Sequence, residues 1–136
     1  MNTRQFWLLV FAFLFALVTY LTVTPNPDDT KEGMAFTRWL STLLFGNGVF
    51  GDKIAHFLAY GALGFSALLA RISLFGERYW TLAALAAYGA LLEGVQGAMG
   101  VRSPEVVDAI SNAAGALSAF PAIILLGLVT QTRRPD

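Results

Sequence analysis

Apolar positions gather into four long runs along the chain, divided by brief polar breaks. The first, FWLLVFAFLFALVTYLTVT at 6–24, carries no charge. About 20 such residues cross the hydrocarbon core of a bilayer as a helix, so the run predicts one membrane span. It is longer than the roughly 7–15 apolar residues of a secretion signal. The TVTPNP at its end is also a poor A-x-A-like cleavage site, and the run is read as a retained helix. The second run extends from about Ile54 to Phe75, with Arg71 near its far end. The third covers about Tyr79 to Met99 and the fourth about Pro104 to Val129. Breaks at 71–78 and 100–105 are short enough to make successive helices antiparallel neighbours. Small residues stripe the last two runs: Ala83, Ala86, Ala87, Ala90, Gly94 and Gly97, then Ala109, Ala113, Gly115 and Ala119. In lipid, such stripes let helix backbones approach closely. The predicted fold is all-α, a polytopic membrane four-helix bundle formed by a single domain over 1–136.

The loop between the first two runs, 25–51, has a pattern of its own. DTKE at 29–32 offers a capping box, with Asp29 as N-cap and Glu32 three residues on. Phe36, Trp39, Leu40, Leu43 and Leu44 then recur at helical spacing, with Thr37, Arg38, Ser41 and Thr42 opposite and Gly46 as the stop. This pattern predicts a short amphipathic helix lying in the membrane interface, with Trp39 at headgroup level.

Composition agrees with a membrane setting. Hydrophobic residues make up 56% of the 136 and charged residues 13%, against about 25% charged in an ordinary soluble domain. A small soluble domain has too much surface to be covered by so few charges. Formal net charge is zero, so no nucleic-acid partner is expected. The absence of cysteine excludes disulfides and thiolate-bound metals. With both termini cytoplasmic, the inner side carries Arg4, Arg71, Arg78, Arg133 and Arg134, and the outer side Lys31, Arg38, Lys53 and Arg102. Five against four favours that orientation by one residue.

Polar residues within the runs converge on one level. Asp52, His56 and Tyr60 follow at i, i+4 and i+8, so they share a helix face. Glu93 and Gln96 lie one to two turns before the end of the third run, and Asp108 and Asn112 one to two turns into the fourth. Ser103–Pro104 reads as N-cap and first helical position, with Arg102 in the turn before it. At 1.5 Å per residue, His56, Glu93 and Asp108 each lie roughly 5–10 Å below the outer mouth. A charge inside the membrane costs about 2.5–3.5 kcal/mol on insertion scales, so such groups face the bundle interior and pair. Lys53–Glu93 and Arg102–Asp108 are natural partners for a purely structural network. The helix starts at this mouth, with Lys53, Arg102 and a titratable His56, also suit an anion such as phosphate. His56 with Glu93 or Asp108 has the makings of an acid–base pair. One histidine beside two carboxylates is a set that some metals accept, but no metal and no cofactor is expected. A single histidine rules out two-histidine phosphatase chemistry.

The same residues carry a family likeness. DKIAHFLAYGALGF resembles the D-K-x-x-H-F-x-x-Y-x-x-L-G opening of the VanZ-like family, LLEGVQ its E-x-x-Q, and RSPEVVDAISNAAGAL its R-x(5)-D-x(3)-N-x-x-G block. The three occur in order over about residues 50–120. Position by position, the family signature falls on Asp52, Lys53, His56, Tyr60, Glu93, Gln96, Arg102, Asp108, Asn112 and Gly115. The resemblance implies a multi-pass protein of the bacterial cytoplasmic membrane with a link to the cell envelope. It also implies a tie to teicoplanin resistance, which one family member confers, but it supplies no reaction.

Three functional expectations follow. The first is a pocket near the outer leaflet that binds an anionic phospholipid or a polyprenyl-phosphate-type envelope precursor. Asp52, Lys53, Tyr60, Gln96, Arg102 and Asn112 would be its binding residues. The second makes the pocket a lipid-headgroup hydrolase or transferase, with His56, Glu93 and Asp108 as catalytic candidates. The third is a non-enzymatic envelope scaffold whose polar cluster only fixes helix register.

Overall fold

The computed structural model describes residues 1–24, 28–100 and 105–131, with side chains described in those ranges except at 28–33 and 126–131. Five helices follow in order: α1 (Thr3–Val23), α2 (Asp28–Phe45), α3 (Gly51–Leu69), α4 (Arg78–Met99) and α5 (Val106–Gln131). Among the described residues the only extended pairing is an isolated bridge, Leu74 with Glu77. Helices α1, α4 and α5 (over Val106–Leu125) are long and apolar enough to cross a membrane.

Helix α3 falls outside that set because its first two turns carry Asp52, Lys53 and His56. It is nevertheless the innermost helix, packed by α1, α2, α4 and α5. Its Tyr60, Leu63, Ser66, Ala67 and Leu68 are all buried. A helix enclosed by others meets protein instead of lipid, which removes the penalty on its polar face.

The tightest seam is between α3 and α5, which run parallel: Phe57 meets Gly115, and Gly64 meets Ala116 and Ala119. A Cβ on Gly64 would sit 2.6 Å from the Ala116 carbonyl oxygen, and one on Gly115 would collide with the Phe57 carbonyl. These two positions need glycine because backbone lies directly against backbone. Helix α4 runs the other way, setting Leu82 against Leu68 and Ala119 and Gly89 against Tyr60 and Asn112. The stripe expected on α4 is placed differently: Ala87, Ala90 and Gly94 are exposed, and the buried face is Thr81, Leu82, Leu85, Gly89, Leu92, Glu93 and Gln96. Large and polar side chains, with one glycine, make that contact. Helix α1 leans on the outside of this core through Val18, which packs with Tyr60, Leu63 and Leu85. The Thr19 and Tyr88 hydroxyls hydrogen-bond at 2.7 Å, and Arg4 Nε donates to the Ala70 carbonyl at 3.3 Å.

Helix ends explain where the expected boundaries move. Asn2 and Gln5 form a reciprocal capping box that starts α1 at Thr3. The second run was expected to continue to Phe75, but α3 stops at Leu69. There Arg71 adopts φ 57° and the Ile72 amide donates to the Ala67 carbonyl at 3.0 Å, a Schellman-type close. Helix α2 begins at Asp28, two residues earlier than the Thr30 start that Asp29 as N-cap requires, and the capping-box side chains lie outside the described residues. Gly46, at φ 75°, ends α2 as expected. The expected start of the fourth helix at Ser103–Pro104 also lies outside the described residues.

Helix α2 is amphipathic as predicted, with Thr37 and Ser41 of its polar side turned inward and Arg38 and Thr42 exposed. Thr37 and Ser41 are buried, while Phe36, Trp39, Leu43 and Leu44 are exposed. Ser41 accounts for this, since its Oγ donates to the Asn47 carbonyl at 2.7 Å and accepts from the Phe50 amide at 3.2 Å. The hydroxyl thereby ties the helix to the turn that leads into α3.

Candidate functional site

The start of α3, the end of α4 and the start of α5 meet at one end of the helices, and their polar side chains meet with them. Because α3 and α5 are parallel, Lys53 stands level with the first turn of α5. Its ammonium lies 2.7 Å from Asp108 Oδ1 and 2.8 Å from Asp52 Oδ2, and it pairs with the Glu105 carboxylate. Lys53–Glu93 was the pair expected from sequence; the lysine's partners are Asp52, Glu105 and Asp108 instead. One turn on, His56 Nδ1 donates to Asn112 Oδ1 at 2.9 Å. That leaves Nε2 facing Asp108 Oδ2 at 3.7 Å, while Glu93 Oε1 lies 3.8 Å from Nδ1. Asp108 bridges the two halves, one oxygen toward Lys53 and the other toward His56. It is 1% exposed, and Glu93 and Asn112 are buried beside it.

The electrostatics differ from those expected. Asp52, Glu105 and Asp108 surround Lys53, and Glu93 adds a fourth carboxylate beside His56, so the described cluster is acidic overall. Asp52 and Asp108 also occupy the first turns of α3 and α5. Carboxylates from the chain itself therefore answer the partial positive helix ends expected to face a phosphate.

Of the residues expected to form the site, the structure brings together Asp52, Lys53, His56, Glu93, Asp108 and Asn112. Tyr60 lies a turn deeper on the same face of α3, 1% exposed, and its hydroxyl has no hydrogen-bond partner among the described residues. Gln96 turns elsewhere: its Nε2 donates to the Thr22 carbonyl at 2.7 Å and fastens the end of α4 to the end of α1. Arg102, and with it the expected Arg102–Asp108 pair, lies outside the described residues. Glu105 was missed from sequence. Its signal was position, three residues before Asp108 and immediately after Pro104.

Beside the cluster is an apolar groove of about 230 Å³ lined by Phe45, Phe50, Ile54 and Phe57, with Lys53 as its one polar wall. A second groove of about 300 Å³ lies between α1 and α4, lined by Phe11, Phe15, Ile72 and Tyr88 among others. It sits toward the opposite end of α3 and shares no residue with the cluster.

No family model matches the chain, and neither does any curated protein or solved structure.

Proposed function

We propose that this is an integral membrane protein that binds the headgroup of an envelope lipid or lipid-linked envelope precursor in the acidic cluster. The observation that carries this reading is the junction at Lys53. That residue belongs both to a buried polar cluster and to an apolar groove lined by Phe45, Phe50, Ile54 and Phe57. A site polar on one side and greasy on the other fits an amphiphile, with its tail along the groove and its head over the carboxylates. In this reading α1, α3, α4 and α5 form the membrane bundle, α3 crossing because its polar face is enclosed. Helix α2 lies in the interface with Phe36, Trp39, Leu43 and Leu44 toward lipid.

The charge balance refines the ligand. An anionic lipid held by Lys53 alone has to displace one of three carboxylates from that ammonium. A headgroup offering amine or hydroxyl donors joins Lys53 on carboxylates whose oxygens each accept more than one hydrogen bond, and displaces no carboxylate from the ammonium. The positive-inside count, five against four, favours by one residue an orientation with both termini cytoplasmic and the cluster at the outer leaflet. The resemblance of these residues to the VanZ-like signature supports an envelope setting in bacteria, and a part in glycopeptide resistance is the corresponding proposal.

A second reading is favoured by the orientation of His56. With Nδ1 donating to Asn112 and Nε2 turned toward Asp108, the ring has the arrangement of an oriented general base. It predicts a headgroup hydrolase or transferase in which His56→Ala or Glu93→Gln abolishes turnover and spares lipid binding.

Native mass spectrometry of the full chain in mild detergent, with retained lipids identified, tests the binding reading. A specific lipid, lost in a folded Glu93→Gln/Asp108→Asn variant, is the expected result. Bulk lipids retained equally by both proteins would leave the cluster a structural network.

A further inference from the structure

The groups at the heart of the cluster also have the geometry of a metal-ligand set. One donor atom from each of His56, Glu93 and Asp108 lies within 4.8 Å of the other two. The three arrive on different helices, α3, α4 and α5.

Two features separate this set from acids that merely crowd together. The first is its outer partners. A metal-bound histidine usually donates its other ring N–H to a fixed acceptor, and ligating carboxylates are themselves hydrogen-bonded. His56 Nδ1 donates to Asn112 Oδ1 at 2.9 Å, which keeps Nε2 for an ion on the side facing Asp108 Oδ2. The other Asp108 oxygen, Oδ1, is held by Lys53 Nζ at 2.7 Å. The second feature is Tyr60. It lies one turn below His56 on the same face, 1% exposed, its ring edge sharing the space over Gly89 with the Asn112 side chain, and its hydroxyl has no hydrogen-bond partner among the described residues. A buried hydroxyl needs a partner, and a further oxygen bound in the cluster would supply one.

We propose that His56 Nε2, Glu93 and Asp108 bind one divalent transition-metal ion of the zinc or manganese kind. Asn112 and Lys53 act as the outer partners, and the Tyr60 hydroxyl reaches the ion's remaining oxygen ligand. Zinc holds nitrogen and carboxylate oxygen at about 2.0–2.2 Å, so tetrahedral donors stand roughly 3.3–3.6 Å apart. The 3.7 Å between His56 Nε2 and Asp108 Oδ2 is within a few tenths of an ångström of that spacing. Glu93 reaches the same ion by rotating its side chain from the Nδ1 edge of the ring. One imidazole and two carboxylates suit zinc, manganese or iron better than calcium, which prefers an all-oxygen shell. A neutral imidazole, two carboxylates and a dication also sum to zero, the charge most easily kept at this depth.

The ion gives the acidic cluster a positive centre that Lys53, already paired, does not provide. An oxygen of a lipid phosphate can complete its coordination; this last link rests on the headgroup reading above, and the ion itself does not.

The test uses the full chain in detergent, stripped of lipid and metal, titrated with Co2+ as a spectroscopic probe and then with Zn2+ as competitor. The expected result is one Co2+ per chain, with visible absorption bands that Zn2+ removes. Binding weakens at least tenfold in His56→Ala and Glu93→Gln proteins that keep their helical circular dichroism, and is unchanged in Gly94→Ala. Pulsed EPR of Mn2+ on the wild-type chain, reading one coupled imidazole nitrogen, gives the same answer without substitution. No uptake of Co2+, Zn2+ or Mn2+ by the wild type would overturn the site, as would equal binding by both folded variants. Lipid retention measured with and without a chelator separates the two readings. Metal bound with lipid indifferent to the chelator removes only the link; lipid retained by a chain that takes no metal removes only the ion.

Discussion

Replacing Lys53 by methionine removes the one lysine from a group of three carboxylates and leaves Asp108, 1% exposed, without its nearest cation. At 2.7 Å and an effective dielectric of about 20, the gross attraction between Lys53 and Asp108 is about 6 kcal/mol. Desolvation of both groups offsets part of it, and breaking one side of a buried pair typically costs about 3–5 kcal/mol. Asp52 and Glu105 are less enclosed and rehydrate, so Asp108 dominates the loss. The companion substitution decides the cause. In Lys53→Met/Asp108→Asn the buried charge is gone, and the double variant should lie at least about 2 kcal/mol above the single one. Unfolding of the full chain in mild detergent by added SDS, followed by helical circular dichroism, measures both. A Lys53→Met protein within about 1 kcal/mol of wild type, or losses that simply add in the double variant, would refute a buried pair at the centre of the cluster.

Four further outcomes follow from particular contacts. Gly115→Ala drives a Cβ into the Phe57 carbonyl and should cost about 1–3 kcal/mol in the same assay. Gly94→Ala, whose Cβ meets no atom of the described residues within 4 Å, should be neutral or stabilising by up to about 1 kcal/mol. Gln96→Ala loses the bond to the Thr22 carbonyl and should cost about 1 kcal/mol, with faster amide hydrogen exchange in the last turn of α1. Asn112→Leu removes the acceptor for His56 Nδ1; nitrogen NMR of the imidazole should then show the proton moving toward Nε2, and an unchanged tautomer would show that Asn112 does not orient the ring.

Long apolar runs were legible in the sequence, and three of the four expected spans return as helices apolar enough to cross a membrane. The second run shows why hydropathy alone is incomplete. Its polar first turns lower its apolar score, yet α3 is the helix most enclosed by the others, because those turns face protein. Helical phase correctly put Asp52, His56 and Tyr60 on one face, and depth correctly put Glu93 and Asp108 beside His56. What phase and depth do not fix is the rotation of each helix about its axis. Lys53 therefore found Asp108 in place of Glu93, and Gln96 found α1 in place of the cluster. Nor does a small residue announce its neighbours: Gly94 and Ala90 face outward, while Gly64 and Gly89, unremarked in the sequence, lie at the close contacts. Arg71 looked like part of a span because its left-handed backbone depends on the α3 cap and not on its side chain.

The central claim is that a lipid headgroup occupies the cluster at the start of α3 and α5. Photo-crosslinking answers it most directly, using the full chain in native-lipid nanodiscs with a phospholipid and a polyprenyl-phosphate carrying a diazirine at the headgroup. Adducts concentrated at residues 52–60, 93–96 and 105–112, and competed by the unlabelled lipid, are the result the account predicts. Adducts confined to the outward faces of α1 and α5, with none in the cluster, would contradict it.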